Sequence, residues 1–150
     1  TSSLMQVPMV QATLPPGRKV GILTISAASM TRAHAEAAGV DPATPVMGTD
    51  GGREFTRAII DNEPSMDVAA AEADILEFGA KLAASDPAIG AIVLECTNMA
   101  PYAAALRAHV GLPVFDIYSF ITWFHGGLSP RDFGHPASAA RPWRERGSDA

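Results

Sequence analysis

Ile89 to Tyr102, IGAIVLECTNMAPY, is the stretch that decides the fold. Its opening run, Ile89–Glu95, is apolar up to the final glutamate and shows no polar alternation. A run that short and that apolar reads as a strand buried on both faces, the kind found inside a parallel sheet. Cys96, Thr97 and Asn98 follow as a polar break. Pro101 suits the first turn of a helix, because the N–H it lacks is one that a helix start leaves unpaired. That helix, PYAAALRAHV, ends at Gly111.

The same order recurs on either side. KVGILTI, Lys19–Ile25, is a second buried-type strand, and in the helix after it Thr31 caps the start and Gly39 marks the end. TPVMGT, Thr44–Thr49, is a short strand followed by a glycine loop and the helix of DGGREFTRAIID. Asp67 caps a long helix, VAAAEADILEFGAKLAAS, with Val68, Ala71, Ile75, Phe78 and Leu82 at helical spacing on one face. LPVFDI, Leu112–Ile117, is the last strand, and YSFITWFHGGL reads as a final helix in which Phe120, Trp123 and Phe124 form core or an interface. Before all this, Ser2 and Ser3 suit the cap of a helix over LMQVPMVQATL, with Pro8 tolerated in its first turns. Pro15-Pro16-Gly17 reads as a linker. The expected organisation is therefore residues 1–17 as a separate lead-in, 18–128 as an α/β lobe, and 129–150 as a tail whose RPWRERG segment suits docking.

Strand and helix alternating four times predict a parallel sheet covered by helices on both faces, a flavodoxin-like three-layer sandwich. Right-handed crossovers favour the strand order 2-1-3-4. The chain then reverses direction between the first and third strands, and ligands bind beyond the carboxyl ends there. The loops at that point are SAASMT and CTNMAP. Topology alone thus places Cys96 at the crevice.

Composition narrows the chemistry. The chain has 150 residues, 47% of them hydrophobic, and a net charge of −5. That balance argues against a nucleic-acid surface. No apolar run reaches the roughly 18 residues that a membrane span needs, and a cytoplasmic location is the default expectation. One cysteine leaves neither a disulfide framework nor a cysteine-based zinc site. His34, His109, His125 and His135 lie far apart, which argues against a metal site within this chain. GTDGG, Gly48–Gly52, lacks the dinucleotide spacing and follows the wrong strand, and no phosphate-loop motif occurs.

At the crevice, a thiol just before a helix N-terminus is expected to lean toward thiolate. Thr97 and Asn98 add a hydroxyl and an amide, and nearby N–H groups suit a carboxylate. The alternative for Cys96 is a small buried hydrophobe. Glu95 faces the opposite side, as an orienting group or as one end of a structural ion pair or cap. Thr24, Ser26, Ser29 and Thr31 either bind an anion across the crevice or serve as loop and cap residues. Asp116 ends the fourth strand on the same rim.

Two segments, KVGILTISAASMTRAHAEAAGV and IGAIVLECTNMAPYAAALRAHVGLPVFD, with the spacing between them, resemble the aspartate/glutamate/hydantoin racemase superfamily. The resemblance runs from about Lys19 to Phe124. It implies a two-lobed, cofactor-independent enzyme with one cysteine from each lobe, the thiols taking and returning a proton on opposite faces of the substrate α-carbon. Cys96 corresponds to the second-lobe cysteine and Thr97 to a residue that helps bind the substrate carboxylate. Other members decarboxylate malonates or isomerise maleate. Only one lobe is visible in this sequence, and the first-lobe cysteine has no counterpart. Residues 1–14 look like the end of a first lobe, which would bring Thr1, Ser2 and Ser3 close to the substrate. The expected function is racemisation or isomerisation of a small carboxylate or amino acid, completed by a first-lobe polypeptide, in an oligomer. Two alternatives stand beside it. One is an amide hydrolase, self-cleaved so that Thr1 becomes the nucleophile; the other is a carboxylate-binding module without turnover.

Overall fold

The computed structural model describes residues 2–134. Four strands, β1 (Lys19–Thr24), β2 (Val46–Gly48), β3 (Ile89–Leu94) and β4 (Val114–Phe115), form one sheet in the order β2-β1-β3-β4. Every pairing is parallel, so the α/β sandwich and its strand order are those read from the sequence. The two edge strands are shorter than expected, and proline explains part of this. Pro45 and Pro113 lack an N–H, yet each supplies its carbonyl to a central strand: Ile22 N donates to Pro45 O (2.8 Å) and Ile92 N to Pro113 O (2.9 Å). An edge position asks no more of proline than that.

Among the described residues, six α-helices surround the sheet: α1 (Gln6–Thr13), α2 (Arg32–Ala37), α3 (Phe55–Ile60), α4 (Val68–Ser85), α5 (Ala103–Val110) and α6 (Ile117–Leu128). On one face, Leu23, Ile92 and Leu94 meet Ala71, Ile75 and Leu82 of α4, Leu106 of α5, and Phe55. On the other, Val20, Ile22, Ala91 and Val93 meet Leu4, Val7 and Val10. Residues 4–13 are therefore one layer of the sandwich. Pro15-Pro16-Gly17 makes a turn between two packed elements. Within this layer, Ser2 accepts the Leu4 N–H and caps a 3₁₀ turn (Ser3–Met5) that runs into α1.

Asp67 accepts N–H groups of Ala69 and Ala70 and starts α4 as expected. Of its anticipated apolar face, Ala71, Ile75 and Leu82 are buried, whereas Val68 is 62% exposed because the first turn precedes contact with the sheet. Phe78 is half-buried, and the Lys81 ammonium sits 4.6 Å from its ring centre. Gly79 lies where α4 meets α5, and a methyl group there would overlap the Leu106 side chain.

The helix expected from Pro101 begins later. Thr97–Tyr102 is a 3₁₀ helix containing Pro101, and α5 starts at Ala103. An α-helix through this stretch would need the Pro101 N–H that does not exist. Gly111, at φ 69°, ends α5 in the left-handed conformation. Asp116 and Ser119 form a capping box at the start of α6. Phe120 of α6 is buried, while Tyr118, Ile121, Trp123, Phe124 and Leu128 are more than half exposed. Behind it, Met9, Val10, Phe115 and Trp123 line an apolar groove of about 530 Å³ between α1 and α6. The RPWRERG segment lies outside the described residues, and no helix among those described is long and apolar enough to cross a membrane.

Candidate active site at the carboxyl rim

The carboxyl ends of β1 and β3 come together where the topology reverses, and the chain's first turn is fastened to them. Ser3 Oγ donates to Leu94 O (2.6 Å). Gln6 Nε2 donates to Ser3 Oγ and to Asp116 O, both at 3.0 Å. Ser3 and Gln6 are almost wholly buried. Ser3 is therefore a tether between the first turn and the strand end. The Ser2 hydroxyl is engaged as a cap. Thr1 lies outside the described residues.

Thr24 and Ser26 also depart from expectation. Thr24 is buried, and its Oγ1 donates to Glu95 Oε2 at 2.8 Å. Ser26 bonds the Asp50 carboxylate, which also accepts the Ala27 N–H at 3.1 Å. The Ser26 hydroxyl is the main reason that the Asp50 carboxyl lies below its ordinary range; slight burial opposes it and the Ala27 N–H assists. Gly48 makes the arrangement possible, since a side chain there would overlap Asp50 and the Ala27 nitrogen. Both hydroxyls thus hold carboxylates of the protein itself. Ser26 also accepts the Ser29 N–H, and Thr31 caps α2 as anticipated.

Glu95 has no ion pair among the described residues. Its contact is the Thr24 hydroxyl, on the sheet face that carries Ala91 and Val93. Cys96 points the other way, half-buried and packed against the α4–α5 core. Burial pushes the thiol above its ordinary range; the Asn98 and Met99 N–H groups pull it down, and the Glu95 charge adds to the rise. The expected lean toward thiolate is overturned: burial outweighs the donors, which belong to a short 3₁₀ helix rather than a long α-helix. Thr97 and Asn98 are exposed, and no described residue hydrogen-bonds their side chains. Asp116 is turned to capping, its Oδ1 accepting the Ser119 N–H at 2.7 Å.

Three buried polar groups escaped the sequence reading. Two are Gln6 and Thr49. The third is Asp74, wholly buried on the apolar face of α4, whose carboxylate accepts the N–H groups of Arg53, Glu54 and Phe55 at 2.7–3.0 Å. Burial pushes its carboxyl up, but those three donors and the Arg53 charge win and hold it below the usual range. The available signal was an aspartate one residue before Ile75 on an otherwise apolar stripe. Among the described residues, no group of three His, Cys, Asp or Glu is placed to hold a metal ion.

Known proteins resemble this chain in sequence or in fold. The dimethylsulfoniopropionate lyase of a clade D Durusdinium species is 31% identical over 149 residues, covering 95% of this chain and 48% of that protein. Dimethylsulfoniopropionate lyase 2 of Emiliania huxleyi is 28% identical over 143 residues, covering 77% of this chain and 40% of that one. The chain thus spans about half the length, or less, of these relatives. Among solved structures, allantoin racemase from Pseudomonas fluorescens matches with a TM-score of 0.53, covering 96% of this chain and 59% of that one; at 18% identity the likeness speaks for the fold alone. The family model described as Asp/Glu/Hydantoin racemase matches residues 4–124, the buried first turn and the Cys96 loop included. The chain belongs to the Asp/Glu/Hydantoin racemase family.

Proposed function

We propose that this chain carries one half of a cofactor-independent active site that moves a proton at the α-carbon of a small carboxylate, with Cys96 as the acid. The supporting observation is the place of Cys96: a thiol at the carboxyl rim of β3, pushed upward by burial and followed by the unpartnered side chains of Thr97 and Asn98. Removing an α-proton drives negative charge onto the carboxylate oxygens, and fixed donors beside them lower that barrier. The Thr97 hydroxyl and the Asn98 amide are donors of that kind. Cys96 delivers a proton to one face of the carbon. The base that removes one from the other face belongs to a first-lobe polypeptide. A carboxylate with a leaving group one carbon further on would lose it instead: the C–H electron pair forms the double bond, and the leaving group departs with its own pair. That outcome is a lyase reaction, the activity named in the relatives.

The test joins this chain to its first-lobe partner and uses a panel of small α-substituted carboxylates in deuterated water. Solvent deuterium is expected at the α-carbon, and Cys96→Ala should reduce the exchange at least about a hundredfold, the low end for a general acid. Turnover, by the wild type, of a panel member that has no leaving group at the next carbon, without isotope entry, would overturn the reading. The packing of Cys96 against the core favours one second reading, a carboxylate-binding module without turnover. Undiminished acid binding by Cys96→Ser, together with no exchange in either protein, is its signature.

A further inference from the structure

We infer that the outer two turns of α6 are the surface on which two copies of this chain meet, as a two-fold dimer in which each copy sets Phe124 and Leu128 against the groove between α1 and α6 of the other. The inference goes beyond the proposed function and does not rest on it.

The starting point is a helix that outruns the body it packs on. Phe120 is 5% exposed, and from Ile121 to Leu128 every residue is exposed. Helical spacing carries the stripe that begins at Phe120 on through Phe124, Gly127 and Leu128, with Trp123 and Ile121 at its edges. A stripe of that kind ordinarily faces a core. Here Ile121, Trp123, Phe124 and Leu128 are 56%, 62%, 57% and 71% exposed, so among the described residues nothing covers them. The helix holds no Asp, Glu, Lys or Arg, and no described charged residue lines the groove that Trp123 shares with Met9 of α1. Aromatic side chains and methionine without charge are the make-up of an interface core. The chain carries a net charge of −5, and a charge-free face is where two like-charged copies can approach.

Self-complementarity singles out a second copy as the occupant. A two-fold interface uses one patch twice, so that patch must hold both the projections and the hollows that receive them. Trp123, Phe124 and Leu128 are the projections. The hollows are the groove of about 530 Å³ and a second of about 500 Å³ over Gly126 and Gly127. A Cβ at either glycine would meet nothing within 4 Å, so the helix is open to close approach there. Two α6 helices lying antiparallel and crossing at Phe124 bring Leu128 of each to the level of Phe120 of the other, where the groove lies. The area suits a dimer. At roughly 150–250 Å² for a whole aromatic side chain, the exposed parts of Tyr118, Trp123 and Phe124 amount to about 300–500 Å². Ile121, Leu128 and Met9 take the patch beyond what a monomer ordinarily bares in one piece. They bring it toward the roughly 800 Å² that each side of a stable complex contributes.

The experiment is sedimentation equilibrium of the 150-residue chain at about 1 and 100 μM, a range that brackets an ordinary micromolar association. At the higher concentration the wild type should weigh twice the 15.7 kDa chain mass. Gly127→Glu puts a charge within the stripe, where the single chain has open space for it. It should raise the dimer dissociation constant at least about a hundredfold, because association would bury an unpaired charge from each copy. Its circular dichroism at the lower concentration should match that of the wild type, which separates lost association from a lost fold. Phe124→Ala, which adds no charge, should weaken the dimer in the same direction. Thr122→Glu places the same charge on the opposite side of α6 and should leave the dimer intact. A wild type that stays monomeric at both concentrations overturns the inference and leaves the face to residues 135–150 or to a first-lobe polypeptide. A ladder of larger species, a dimer undiminished in Gly127→Glu, or equal weakening by Thr122→Glu overturns it too.

Discussion

Asp74 has no charged role on the surface; its carboxylate is the cap that the loop after β2 folds around. Gly52 comes so close that a Cβ there would press on the carboxylate. Asp74→Asn keeps the shape but loses the charge and at least one acceptor, leaving a buried N–H without its partner. The expected cost is about 1–3 kcal/mol, read from the midpoint of urea unfolding. The pH dependence follows the depressed carboxyl. A carboxyl lower in the folded than in the unfolded state stabilises fully above the unfolded value, near 3.9 for aspartate. That contribution is lost as pH falls through the folded value. Wild type should therefore lose stability on the acid side more steeply than Asp74→Asn. In the sequence, Asp74 is one polar letter on an apolar stripe, and nothing local says that three amides from another segment converge on it. The partners of Thr24 and Ser26 were hidden for the same reason. Their hydroxyls looked free to bind a ligand because the carboxylates they hold, Glu95 and Asp50, lie 71 and 24 residues further along the chain.

At the scale of elements, local chemistry was far more legible. Thr31, Asp67 and Gly111 bound their helices where capping rules put them. The 3₁₀ helix after Cys96 was missed because proline is compatible with both kinds of helix start, and only the hydrogen bonds tell them apart. How α4 and α5 approach each other was also hidden. Gly79 is buried beneath Leu106, and the contact leaves no room for a methyl group. Gly79→Ala should raise intrinsic helix propensity yet destabilise the lobe by about 1–3 kcal/mol through overpacking. A companion Leu106→Ala would relieve the overlap, so the double variant should lose less than the sum of the two single changes. Thermal or urea melts of the four proteins give that comparison.

For the whole molecule, the decisive contact is that of the first turn and α1 with the sheet. Leu4, Val7 and Val10 are 2%, 3% and 6% exposed, and they cover Val20, Ile22, Ala91 and Val93. Deleting residues 1–14 would bare that sheet face and remove the Ser3 tether to Leu94. At roughly 1.5–3 kcal/mol for each fully buried aliphatic side chain, the loss is comparable to the stability of an ordinary domain. The shortened chain is expected to show no cooperative unfolding transition by circular dichroism. A sharp transition near that of the full chain would mean that the lobe does begin after residue 17.

The sequence by itself determined the class of fold, the order of strands and the rim on which Cys96 stands. Those follow from short-range patterns: apolar runs of strand length, capping residues at helix starts, and the handedness of crossovers. It could not determine the protonation state of Cys96 or which polar side chains were free to meet a ligand. Both depend on burial and on partners distant in the chain. Tertiary structure turned Ser3, Thr24 and Ser26 inward as tethers and left Thr97 and Asn98 open. It buried the thiol against α4 and α5, which pushes it above its ordinary range.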